Sequence, residues 1–99
     1  MILVRMVFQV KWGKMDEVLA GMAQMRSIAE RLGLPRARIL TDLGGPMFTL
    51  VQEMEVESLD QMDQNRRKMF SDPEWQAISA SMPDVFESGR TEFYNIHDV

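Results

Sequence analysis

Polar and apolar residues alternate with period two from Ile2 to Lys11. Ile2, Val4, Met6, Phe8 and Val10 form one wholly apolar side, and Leu3, Arg5, Val7, Gln9 and Lys11 a mixed one. Successive side chains of an extended chain point to opposite faces, so this run predicts a first strand. Trp12-Gly13-Lys14 breaks it. From Met15 to Leu32 the apolar positions change to helical spacing (Met15, Val18, Leu19, Met22, Met25, Ile28, Ala29, Leu32), with Gly33 as the stop and Pro35 beyond. Two β-rich runs follow, Arg38–Asp42 and Met47–Glu57, joined by the turn-forming Leu43-Gly44-Gly45-Pro46, which predicts a hairpin. In the second run Phe48, Leu50, Met54 and Val56 share an apolar side opposite Thr49, Val51, Glu53 and Glu55.

Ser58 followed by Gln61 is a capping-box pattern and predicts a helix over Leu59–Phe70. Asp72 suits an N-cap and Pro73 a first helical position, which restarts the chain as a helix over Pro73–Met82 that buries Trp75, Ile78 and Met82. Pro83 ends or bends that helix, Val85-Phe86 packs the exit, and Gly89 turns the chain into a last strand, Thr91–Ile96. The order is β-α-β-β-α-β, with the second helical part broken near Asp72-Pro73. This is the ferredoxin-like pattern of the α+β class: one domain over residues 1–99, a four-stranded antiparallel sheet, and helices on one face. The two longest strands, first and third, are expected as central neighbours. Their mixed face keeps Leu3, Val7, Val51 and Phe93, and no remaining element covers it. A second copy of the same sheet would, so a homodimer through that face is expected.

Composition narrows the partners. With 99 residues, 45% apolar and 26% charged, the chain has the profile of a soluble globular domain. A formal net charge of −4 argues against nucleic acid, which demands a basic surface. The absence of cysteine removes thiolate ligands, thiol nucleophiles and disulfides, which fits a cytoplasmic protein. No apolar run reaches the roughly 18 residues of a spanning helix, and neither export nor a membrane partner is expected. Ten methionines are read as flexible core filling.

The candidate chemistry lies on the mixed face. Arg5 and Gln9 project from the first strand, Thr49 and Glu53 from the third, and pairing of those strands would let Arg5 and Glu53 meet. One reading is an ion pair that fixes register; the other is a polar anchor for an anionic or quinone-like ligand, Arg5, Gln9, Thr49 and Glu53 being the ligand-binding candidates. His97 is the only histidine and has no cysteine or second histidine beside it, so no metal is expected. No serine has an activating partner. Gly44-Gly45 lies between strands without a helix behind it, so it is not a phosphate loop. Arg66-Arg67-Lys68 fans around a helix as a solvated face.

The chain resembles the dimeric α/β-barrel superfamily, which includes antibiotic-biosynthesis monooxygenase-type, NIPSNAP-like and haem-degrading proteins. The resemblance is carried by the element order, Trp12-Gly13-Lys14, the Arg38–Asp42 entry, Asp72-Pro73-Glu74-Trp75, and Glu87-Ser88-Gly89-Arg90 before Phe93-Tyr94. It implies two sheets facing one another around a small-molecule cavity. It further implies a cofactor-free monooxygenase or related enzyme acting on a small aromatic or quinone-like molecule, with Trp75 and Tyr94 as catalytic candidates. The alternative is a non-catalytic small-molecule-binding or interaction protein of the same fold. Haem-degrading members resemble each other in an axial His on the second helical part and an Asn on strand one. Leu59–Met82 holds no His and Ile2–Lys11 no Asn, so no cofactor is expected.

Overall fold

In the computed structural model, which describes residues 1–81 and 84–99, the chain runs β1 (Ile2–Val10), α1 (Met15–Arg31), β2 (Arg38–Thr41), β3 (Thr49–Val56), α2 (Leu59–Phe70), α3 (Pro73–Ala80) and β4 (Phe86–Asn95). The strands form one antiparallel sheet in the order β2-β3-β1-β4. This is the expected ferredoxin-like α+β fold, and within one chain the sheet is open rather than closed into a barrel.

Register decides what each face carries. β1 and β3 pair Val4 with Met54 and Phe8 with Leu50 on the helical side, and Arg5 with Glu53 and Val7 with Val51 on the open side. Beneath α1, Val10 and Leu50 pack with Val18, Met22 and Val85. Val4, Val10, Val18, Ile28 and Leu50 are the largest fully buried side chains. α1 carries most of the helical cover, because neither α2 nor α3 has a fully buried residue.

Local chemistry explains the boundaries. α1 stops at Gly33, whose φ of +71° continues the chain where other residues would be strained. The Ser58 hydroxyl accepts from the Gln61 backbone N–H at 3.0 Å, but the Gln61 amide turns to Asn65 Oδ1 instead, so only half of the capping box forms. Asp72 caps α3 by accepting from the Trp75 N–H at 3.2 Å, with Pro73 in the first turn. Both Asp72 oxygens also accept from Arg31 Nη2, at 2.9 and 2.8 Å, which ties the end of α1 to the start of α3.

Five expectations change. β3 starts at Thr49, not Met47, because Phe48 adopts φ +59°, a left-handed conformation that an extended strand cannot hold. β4 starts at Phe86, and Gly89 lies inside it rather than turning into it. Gly89 faces Phe8, and a Cβ there would sit 2.8 Å from the ring Cδ1, so the aromatic ring takes the place of a side chain. A shift of register between Gln9 and Val10 then pairs Val10 with Phe86 and brings the Phe8 and Phe86 rings to 4.7 Å. Phe93 pairs with Val4 and so belongs to the helical face, not the open one. Val7 and Val51 are only 8% and 7% exposed within one chain, because these two short side chains sit mid-sheet between Leu40 and Arg90. Trp75 and Ile78 are half-buried rather than buried. The expectations for Met82 and Pro83 lie outside the described residues.

Candidate ligand site on the open sheet face

A hollow of about 620 Å³ opens on the face away from the helices. Val7, Val51 and Leu40 supply its apolar floor, Arg5 and Arg90 its basic wall, and Leu43 and Pro46 of the β2–β3 loop its lip. The floor follows from pairing: Leu40 opposes Val51, Val51 opposes Val7, and Val7 opposes Arg90 across all four strands.

The predicted polar residues separate into two groups. Gln9 and Thr49 line the hollow but are committed to shaping the loop. The Gln9 amide donates to the carbonyls of Met47 and Phe48, Thr49 Oγ1 donates to Pro46 O at 2.8 Å, and the Thr49 N–H donates to Asp42 Oδ1 at 2.9 Å. These bonds hold Phe48 in its left-handed conformation, with the exposed Trp12 ring edge-on at 4.9 Å.

Arg5 and Glu53 form the second group, one level along the sheet. Arg5 Nε lies 3.6 Å from Glu53 Oε2, and Glu53 is 10% exposed against 39% for Arg5. The pair is not isolated. Arg38 donates to the other Glu53 oxygen, Arg5 Nε stands 3.9 Å from Glu92 Oε1, and Arg90 Nε donates to Glu92 Oε2 at 3.1 Å. The Arg90 hydrogen bond holds the Glu92 carboxyl below the usual carboxylate range against partial desolvation, with Tyr94 and the Arg5 charge acting in the same sense. The result is a line of alternating charge across the sheet: Arg38, Glu53, Arg5, Glu92, Arg90. Arg38, Arg90 and Glu92 escaped the sequence reading. Arg38 stands opposite Glu53 only because the connection runs from residue 42 to 48; a turn confined to Leu43–Pro46 would have set Arg38 opposite Val51. The β4 members depend on a register no local pattern encodes.

The two catalytic candidates stand apart from this arrangement. Trp75 belongs to the helical layer, its ring stacked on Phe70 at a centroid distance of 4.4 Å, and it does not line the hollow. Tyr94 is on the open face opposite Leu3, 47% exposed, and it too lies outside the lining. His97 is exposed beyond β4. Among the described residues no cluster of His, Cys, Asp and Glu could hold a metal ion, and no helix is long and apolar enough to cross a membrane.

An open antiparallel sheet backed by helices on one face defines a ferredoxin-like α+β domain, the fold also found in NIPSNAP and antibiotic-biosynthesis monooxygenase structures. The chain superposes on an uncharacterised NIPSNAP domain protein from Burkholderia xenovorans with a TM-score of 0.86 and 19% identity, covering 98% of this chain and 95% of the other. A NIPSNAP family protein from Agrobacterium tumefaciens strain C58 gives 0.85 and 23% identity over 98% and 93%. A protein described as an antibiotic biosynthesis monooxygenase gives 0.75 and 13% identity over 99% and 100%. What these likenesses share with the chain is the fold. No protein-family model matches the sequence, and no curated protein sequence does.

Proposed function

We propose that the protein is a cytoplasmic homodimer in which two open sheet faces close on one another and hold a small molecule in the hollow over Val7 and Val51. The observation that carries this reading is the hollow itself, apolar on its floor and basic on its wall, on a face that no element of the described chain covers. Leu40 and Tyr94 remain 37% and 47% exposed on that face, and a second copy would remove them from water. The binding reading is preferred to a catalytic one because neither Trp75 nor Tyr94 reaches the hollow.

Sedimentation of the wild type and of Leu40→Asp tests the assembly. Leu40 is partly exposed on an edge strand, so a charge there should be tolerated by one chain and refused by a closed pair of faces. The expected result is a wild-type dimer and a folded monomeric variant at micromolar concentration; a monomeric wild type ends the proposal. The second reading, a cofactor-free monooxygenase acting on an aromatic or quinone-like molecule, is favoured by the shared fold with the monooxygenase structure. Its test is oxygen uptake with a dihydroxynaphthalene, lost in Tyr94→Phe; uptake that Tyr94→Phe leaves unchanged removes Tyr94 from the chemistry.

A further inference from the structure

The line of charge across the open face is unevenly satisfied. Glu53 accepts from Arg38 and Glu92 accepts from Arg90, so the two outer arginines take the hydrogen bonds. The central arginine does not. The nearest approach of Arg5 to each carboxylate is through Nε, at 3.6 and 3.9 Å, beyond hydrogen-bond reach, and that Nε is buried without a hydrogen-bond partner among the described residues. Arg38 also feels the Glu55 carboxylate beside Glu53, so its charge is met at the outer end of the line, and the positive charge that reaches the hollow is that of Arg5 and Arg90, the two arginines that border it.

We propose that Arg5 anchors an anion site in the hollow, and that its ligand is a small organic carboxylate with an apolar body. The proposal rests on closure of the two faces, since a guanidinium covered without an acceptor carries a desolvation penalty. A carboxylate offers two oxygens in the geometry of the guanidinium fork. The apolar body follows from the floor, where Val7, Val51 and Leu40 present no polar atom of their own side chains. Gln9 and Thr49 offer no donor to compete with Arg5 for the carboxylate, because the Gln9 amide N–H groups and the Thr49 hydroxyl hydrogen are bonded to the loop. Asp42, the acidic residue of the lining, is occupied by the Thr49 N–H at the loop end.

Benzoate is the probe, with benzamide as its neutral isostere and inorganic phosphate as an anion without an apolar body. In ¹H–¹⁵N spectra at constant ionic strength, benzoate should shift the Val7 and Val51 amides and bind at least about tenfold more tightly than either control, the worth of one charge-assisted hydrogen bond. Arg5→Met should remove the preference over benzamide. Arg38→Gln should weaken benzoate as well, although Arg38 does not line the hollow, because Glu53 would then turn to Arg5. Equal binding of benzoate and benzamide, phosphate binding as tightly as benzoate, or no shift of the Val7 and Val51 signals overturns the site. Should Arg5→Met fail to fold, the wild-type ratio and Arg38→Gln decide alone. Sedimentation of the same samples separates the two readings. A dimer without carboxylate preference overturns the anion site only, and a monomer overturns the closure while the ratio still judges the site.

Discussion

Phe8 and Gly89 show how much one residue depends on another far along the chain. The ring of Phe8 lies where a side chain at position 89 would stand, and moving it aside would disturb its packing on Phe86. Gly89→Ala should therefore cost about 1–3 kcal/mol by overpacking, read from urea unfolding; a neutral result would show that the ring yields. Glu53 makes the opposite point. It is 10% exposed and serves two arginines, so Glu53→Gln should destabilise by roughly 1–3 kcal/mol. Arg5, half in solvent and beyond hydrogen-bond distance, should show a coupling to Glu53 of under about 1 kcal/mol in a double-mutant cycle at fixed protein concentration. The meeting of Arg5 with Glu53 was legible because alternation fixes the face of each and strand length makes β1 and β3 neighbours. That Arg38, not Arg5, makes the Glu53 hydrogen bond was not, since it turns on hairpin register. The lone His97, exposed near the chain end, should also leave haem without an axial ligand: no saturable Soret band is expected at one equivalent per chain.

Among the elements, α3 is tied to α1 by two carboxylates at its start, Asp72 and Glu74, both of which accept from Arg31. Asp72 also caps α3, and the Arg31 hydrogen bond, with the Trp75 N–H, keeps its carboxyl below the usual range despite desolvation. Glu92 on β4 is held low in the same direction. Unfolded carboxyl groups titrate near about 4, so as pH falls the unfolded chain takes up protons before these two groups do in the folded one. Their contribution is complete above that value and is lost on acidification through their folded pKa values. Asp72→Asn should lower the urea midpoint at neutral pH and flatten the acid limb of stability against pH; an unchanged limb would place the proton uptake elsewhere. The Asp72 cap was legible because the Asp-Pro pair carries its own conformational preference. The starts of β3 and β4 were not. Phe48 reads as a strand residue until its left-handed backbone is known, and Glu87-Ser88-Gly89-Arg90 reads as a break until Phe8 is seen to fill the glycine's place.

At the scale of the whole molecule, element order alone implied the sheet order, because few ferredoxin-like connections are possible for β-α-β-β-α-β. The open face was less legible. Counting apolar residues overstated what it exposes, since Val7 and Val51 are shielded by longer neighbours on their own strands' partners. Helices on one side only give the chain extents of 37 × 36 × 18 Å, a tile half as thick as it is broad. Such a tile meets more friction in solution than a sphere of its mass and tumbles unequally about its axes. Two tiles laid face to face have three nearly equal dimensions. Pairing should therefore raise the sedimentation coefficient by more than a doubling of mass at constant shape would give, and should make the rotational diffusion of the pair almost isotropic. A pair joined edge to edge through β2 or β4 would lengthen the tile and do the reverse, so hydrodynamic shape alone reports which surface the protein uses to meet itself.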